Sequence, residues 1–453
     1  MNRISLWLGA GLVHSHSFTA AARLLPYLVL AALVFAVYAP ALRLPPTNPD
    51  DLRYLTSVAA TGNPLSYFAR DDGVGNNLYR PFMSISLWLA YRLFGAWALP
   101  NHAINLGLHF AAAALLFRLA RRFKAGTLPA FLVALLFLIS PNTANAAEEV
   151  FDRPMAAVGI WLLLLIEHLR PSLTAGEGAP PSAVRLPYVV SLCMLAVLTK
   201  ESGLVLPIFV AAFALALGPG ANLSPRTRAW LVAAPVAVIL VYFLIRVIVF
   251  GANATAYDQE GYLLLASRRY AGLSELPAGL KLLAMAENAA KHLLTPVLPV
   301  FHRYGQILGG PLLSESAALI ASTAALFGLA SLGRPNRLQW AAVLLVMVSA
   351  VVHATLYRSR LQYLSQIAFC LYVGASPYLM GRPGSVRWAA LRNTLGLALA
   401  AVMVLNGLSL IDRNLSESLM VRTRRLDRYA AGVHAIPDNV DSRMVGEVLE
   451  IYR

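Results

Sequence analysis

Charge is what this chain lacks. Only 13% of its 453 residues are charged, and acidic groups are the scarcest, 22 Asp and Glu against 37 Lys and Arg. Soluble domains carry about 25% charged residues, so a soluble globular architecture is excluded. Cysteine is nearly absent: Cys193 and Cys370 are the two in the chain, and both sit in apolar runs, which excludes a disulfide framework or a thiolate metal cluster. The redox compartment is therefore not readable. Also missing are a Gly-rich nucleotide loop leading into a helix, internal repeats and low-complexity tracts. His14 and His16 have no further ligands nearby, so no metal is assigned. The N-terminal 23 residues lack the small-residue cleavage site of a secretory signal, so no processing is expected.

What is present is apolar: hydrophobic residues make up 58% of the chain and the mean hydropathy is +0.62. These values predict an all-α polytopic membrane protein. The net charge of +15 would suit nucleic acid, but the basic residues fall in short loops between apolar runs, as in membrane proteins facing anionic lipid. No nucleic-acid partner is expected.

Spans are predicted near 24–41, 101–120, 126–140, 154–169, 186–199, 203–218, 229–250, 311–332, 340–356, 361–380 and 391–411, about eleven in all. Residues 80–97 are apolar enough to count, and loop charges arbitrate. If they do not cross, Arg118, Arg121, Arg122 and Lys124, Arg170 and Arg185, Arg226 and Arg228, Arg334 and Arg337, and Arg382, Arg387 and Arg392 share one side, which should be the cytoplasm. Residues 80–97 then form an interfacial helix with Trp88, Tyr91 and Trp97. The organisation that follows is an interfacial or cytoplasmic segment 1–23, a transmembrane unit 24–411 and a tail 412–453 on the outer side. The unit contains a first outer loop 42–100 and a long outer loop 251–310 of surface or re-entrant helices. Arg422, Arg424, Arg425 and Arg428 in the tail go against the charge rule.

Asp50 and Asp51, in Asn48-Pro49-Asp50-Asp51-Leu52-Arg53-Tyr54-Leu55, follow the first span. Carboxylates beside a bilayer are costly to desolvate and read as a site. A carboxylate can take the proton of an attacking acceptor, and a departing lipid phosphate can be held by cations. Arg80, Lys200, His302, Arg303, Arg358 and Arg360 fall at predicted outer ends, where headgroup contact is the plainer role. His102, Asn105 and His109 line one helix face at i, i+3 and i+7, which suits either a cavity wall or interhelical hydrogen bonds. Glu148, Glu149, Asp152 and Arg153 form a second charged cluster, an acceptor site or an internal ion pair.

The order of these elements resembles the GT-C membrane glycosyltransferases. The likeness is greatest to the protein O-mannosyltransferases, including the tetratricopeptide-bearing ones, and more distant to the lipid A aminoarabinose transferase. It is carried, between about residues 30 and 380, by the acidic pair, Tyr79-Arg80-Pro81-Phe82, Leu93-Phe94-Gly95 and Asn101-His102-Ala103-Ile104-Asn105. Leu198-Thr199-Lys200-Glu201-Ser202 and Arg358-Ser359-Arg360-Leu361-Gln362-Tyr363-Leu364 complete it. The resemblance implies inverting transfer of a sugar from a polyprenyl-phosphate donor to a lipid, glycan or protein acceptor at the outer face of a bacterial-type inner membrane. Asp50 or Asp51 would be the base and Arg358 and Arg360 would meet the phosphate. Tyr54 and Tyr363 join the cavity candidates. No cofactor is indicated; a divalent cation is compatible with such chemistry, but nothing points to one. Ser140-Pro141-Asn142-Thr143-Ala144-Asn145 stands where the tetratricopeptide-bearing branch has His-Pro-Val-His-Thr-Glu, and the repeats are missing, so sugar, acceptor and metal do not carry over. The alternatives are an envelope oligosaccharide polymerase or ligase, centred on 251–310, and a lipid-linked-sugar transporter or flippase, which would show repeats and midplane charges.

Overall fold

The computed structural model describes residues 15–74, 77–123, 125–174, 184–216, 223–251, 262–263, 268–269, 277–297, 312–332, 335–355, 359–376, 386–432, 436 and 440–452. They are helical apart from loops and one short antiparallel ladder that pairs Tyr262 with Arg269 and Leu263 with Arg268. The helices are α1 Ser15–Tyr38, α2 Pro49–Ala60, α3 Pro81–Phe94, α4 Ala98–Arg122, α5 Thr127–Leu138, α6 Pro141–Glu148, α7 Arg153–Thr174 and α8 Leu186–Thr199. They continue with α9 Val205–Ala216, α10 Pro225–Phe250, α11 Ala278–Leu294, α12 Leu312–Ala330, α13 Arg337–Val352, α14 Tyr363–Gly374, α15 Val386–Ala430 and α16 Ser442–Tyr452.

Local chemistry sets the helix starts. Asn48 caps α2, Ser140 caps α6 and Ser224 caps α10, each with a proline in the first turn, where the missing N–H is no loss and φ is already helical. Among the described residues three helical stretches are long and apolar enough to cross a membrane: Arg23–Arg43, Ala98–Arg122 and Pro225–Phe250. This marks a membrane protein. In α10 only 22% of the most apolar window is buried, and Leu240, Leu244, Val247 and Ile248 point outward, as lipid contacts would.

Length and composition therefore support three spans among the described residues, or four if α5 and α6, bent by 62° at their junction, count as one. The expected eleven are not reached on this criterion. The physical reason is brevity: α8, α9, α13 and α14 are apolar, yet each has only 10–17 residues, about 15–26 Å of helix against a hydrocarbon core of roughly 30 Å. The segment 80–97 becomes α3, which is not among the long apolar stretches. Helix α15 runs through the expected boundary at 411 and carries the tail back over α2. There Leu52, Leu55, Leu426, Met444, Val445 and Val448 form a small core beside the main one.

A break between α8 and α9 turns the chain at Lys200, whose backbone is extended. The chain then folds so tightly onto the last turn of α8 that a Cβ on Gly203 would lie 2.1 Å from the Ala196 carbonyl oxygen. Gly203→Ala is expected to cost about 1–3 kcal/mol through forced backbone displacement and to lower the thermal midpoint in detergent. Gly279→Ala, where nothing lies within 4 Å, should leave it unchanged or slightly higher; equal midpoints for both variants would contradict this packing.

Candidate functional site

The cap on α2 puts Asp50 and Asp51 in its first turn, and consecutive helical residues diverge by about 100°. The two acids consequently meet different surroundings. Asp50 keeps 36% of its side chain accessible and lies 3.9 Å from Arg53. Asp51 is fully enclosed: it accepts from the Phe151 N–H at 3.3 Å and from Arg422 at 3.2 Å. Arg422 also donates to the Pro45 carbonyl, its own carbonyl receives the Thr47 hydroxyl, and Arg425 donates to the Thr47 carbonyl. Two of the four tail arginines that went against the expected charge rule, Arg422 and Arg425, are thus held by the loop that carries the acidic pair.

A third carboxylate, Asp72, closes a network around Tyr54. The Tyr54 hydroxyl donates to Asp72 Oδ2 at 2.7 Å and accepts from Arg80 at 3.2 Å, and Arg80 pairs with Glu201 at 2.6 Å. The turn needs glycine next to Asp72, because Gly73 has φ +79° and a Cβ there would strike Ser57 Oγ at 2.1 Å. Tyr54 stacks on Phe151 with ring centroids 6.1 Å apart, which joins this network to the acidic pair.

Behind it lies a third layer. Lys200 pairs with Asp152 at 3.0 Å, both buried. Arg153 donates to Asn101, Asn105 and Ser86, and Asn105 donates to the Glu149 carbonyl. His102 meets the Leu44 carbonyl, while His109 lies between the Leu138 carbonyl and the Tyr363 hydroxyl. The polar stripe of α4 is therefore engaged in contacts between segments. Glu148 is buried at the end of α6.

Burial raises the Asp51 and Asp72 carboxyls to about 6, against the pull of Arg422 on Asp51 and of Arg80 on Asp72. It lifts the Tyr54 hydroxyl well above its ordinary range. Among the described residues no group of three His, Cys, Asp or Glu is placed to share a metal ion.

Of the residues singled out in the sequence, Asp50, Asp51, Tyr54, Arg80, His102, Asn105, Glu148, Glu149, Asp152, Arg153, Lys200 and Tyr363 fall at the same end of the helix bundle. His302, Arg303 and Arg358 lie outside the described residues, as does the side chain of Arg360. The opposite termini of the same helices carry Arg118, Arg122, Arg170, Arg185, Arg226, Arg228 and Arg337. Asp72, Glu201, Arg246 and Arg422 are additions. Arg246 is buried over Tyr242 and Phe250 and donates to the Asn77 carbonyl. The signals for these were an acid beside a glycine turn, an acid next to Lys200, an arginine inside an apolar run and tail arginines that went against the expected charge rule.

No protein-family model, no curated protein and no solved structure matches this chain at a significant level. The chemistry of the site rests on its own residues.

Two outcomes follow from the burial. Arg422→Ala leaves Asp51 enclosed without its cation and should cost about 3–5 kcal/mol, read as a lowered thermal midpoint, with Arg422→Lys intermediate. The folded state holds the Asp51 and Asp72 protons up to about pH 6, whereas an unfolded carboxyl releases them near pH 4. The folded state thus binds more protons between those values, and its stability should fall as pH rises from about 4 to 6. The Asp51→Asn, Asp72→Asn double variant should lose that slope; a wild-type midpoint that is flat across this window would contradict the assignment.

Proposed function

We propose that this chain is a membrane glycosyltransferase that moves a sugar from a polyprenyl-phosphate donor to an acceptor at the outer face of the bilayer, with inversion. The observation that carries the reading is the gathering of Asp50, Asp51, Asp72, Arg80, Asp152, Lys200, Glu201 and Arg422 at one end of an apolar helical bundle. Charges in such a setting are expensive and persist where function needs them. Their position at one end, away from helix centres, favours chemistry at the membrane edge over transport. A lipid-linked donor suits this arrangement, since its tail stays in the bilayer and only its head enters the polar layer.

Asp50 is the base in this reading, because Asp51 is enclosed by Arg422 and the Phe151 amide while Asp50 remains accessible. Asp50 takes the proton from the acceptor hydroxyl, whose oxygen attacks the anomeric carbon. The bond from that carbon to the phosphate oxygen breaks, and the lipid phosphate leaves with its electron pair. Arg80 and Lys200 stand among the described cations for that charge; Arg303, His302, Arg358 and Arg360 complete the proposed set. About eleven crossings, an inner-membrane location and a cytoplasmic arginine-rich end belong to the same proposal. So does a lipid, glycan or protein as acceptor.

Asp50→Asn keeps the shape and removes the base. In purified protein supplied with polyprenyl-phosphate sugars it should lower turnover about 100- to 10,000-fold without lowering protein level. Near-normal turnover in Asp50→Asn would refute this mechanism. For sidedness, Ala69→Cys in intact cells should react with an impermeant thiol reagent and Ser331→Cys should not; the reverse pattern would move the acidic loop to the cytoplasm.

A further inference from the structure

Helix α11 is built inside out for a soluble surface helix. Asn288 and His292 lie one turn apart on its enclosed face, and Thr295 follows at its C-terminal end; all three are fully buried. Leu282, Leu283, Leu293 and Leu294 face outward instead. A helix with this arrangement has an apolar exterior and a polar interior, the reverse of the pattern in water. The enclosed face meets α13, with Asn142 of α6 at Thr295 and Gln362, just ahead of α14, at His292.

The side chains that meet across this face are uncharged amides, imidazoles and hydroxyls, with the Lys291–Glu287 ion pair, 2.7 Å, beside them on α11. His292 contacts the Gln362 amide, and the His292 and His353 rings lie 5.3 Å apart. His353 also meets the Ser202 hydroxyl at 2.9 Å, one residue beyond Glu201 of the Arg80 network. Asn142 donates to Gln366 and to the Thr295 carbonyl. Four atoms in this cluster make no hydrogen bond although they are buried: both polar atoms of the Asn288 amide, Gln362 Oε1 and Asn142 Oδ1. Buried amide groups are ordinarily satisfied, so several unsatisfied ones together call for a guest. Three of the four are acceptors, and the guest must donate to them. Hydroxyls both donate and accept, whereas an ionised phosphate would find oxygen facing oxygen.

We propose that this cluster is the pocket for the sugar ring of the donor, with Asn288, Gln362 and Asn142 as its hydroxyl-binding side chains. The inference rests on the reading of the chain as a lipid-linked-sugar transferase and adds where the sugar sits. It separates the two parts of the donor: cations hold the phosphate, and neutral amides grip the sugar beside Ser202.

The test uses the purified full-length protein and short-chain probes: citronellyl phosphate and its mannosyl, glucosyl, galactosyl and arabinosyl esters. Binding is read by titration and by the shift in thermal midpoint. At least one glycosyl ester should bind the wild type about tenfold or more tightly than the bare phosphate. Asn288→Ala and Gln362→Ala should each erase that preference while binding bare citronellyl phosphate as the wild type does, which also shows that the variants are folded. Equal binding of bare and glycosyl phosphates by the wild type, or a preference that survives both substitutions, overturns the pocket. An inactive Asp50→Asn enzyme with that surviving preference leaves the transferase reading intact. A preference lost in Asn288→Ala alongside a fully active Asp50→Asn enzyme keeps the pocket and removes the base.

Discussion

The ion pair between Asp51 and Arg422 joins residues 371 positions apart in a fully enclosed contact. Burying a carboxylate without a partner carries a penalty of several kcal/mol, which the guanidinium delivered by α15 offsets where α2 sits against the bundle. Arg422 and Arg425 also hold the Pro45 and Thr47 carbonyls, which fixes the strand of chain leading into the Asn48 cap. The direction in which α2 presents Asp50 is therefore set by the far end of the sequence. A continuous α15 is what makes the delivery possible, since its 45 residues reach well past any apolar core.

Around that pair the structure separates two electrical environments. Along the helices the main core is apolar, with Tyr38, Phe137 and Tyr363 among its largest enclosed side chains. At one end, carboxylates and cations alternate through Tyr54, Arg80, Glu201, Asp152 and Lys200. Arg80 with Glu201, Lys200 with Asp152 and Arg422 with Asp51 are paired, the condition under which buried charges are tolerated. The opposite termini carry arginines and the Glu167 carboxylate that pairs with Arg118 and Arg122.

The helical character and the acidic pair were legible because hydropathy and isolated carboxylates are local signals. The number of crossings was less so: an apolar run of 14 residues, as in α8, looks like a short span in sequence and is a helix too short to cross alone in the structure. Asp72 was hidden by its setting, since an acid before Gly73 resembles an ordinary turn until Tyr54 and Arg80 close on it. Arg422 was visible only as one of several exceptions to the expected charge rule, and its partner lies 371 positions earlier. Helix α11 lay in the long loop 251–310 without an uninterrupted apolar run, because its polar residues recur on the enclosed face. The stripe of His102, Asn105 and His109 was open between two readings, and the carbonyls of Leu44, Leu138 and Glu149 are the partners its side chains find.

Two neighbouring aspartates with the same chemistry acquire different parts through geometry alone. Asp51, turned inward, needs a cation and an amide to be buried at all, and it serves to lock α2 in place. Asp50, one residue earlier, is accessible because the inward face of the helix is already occupied. Exchanging their surroundings would need a rotation of α2 by about 100°, which would expose Leu52 and Leu55, now enclosed against Leu426 and Met444. The hydrophobic contact between the tail and the first loop thus decides which of two identical side chains is enclosed and which is accessible.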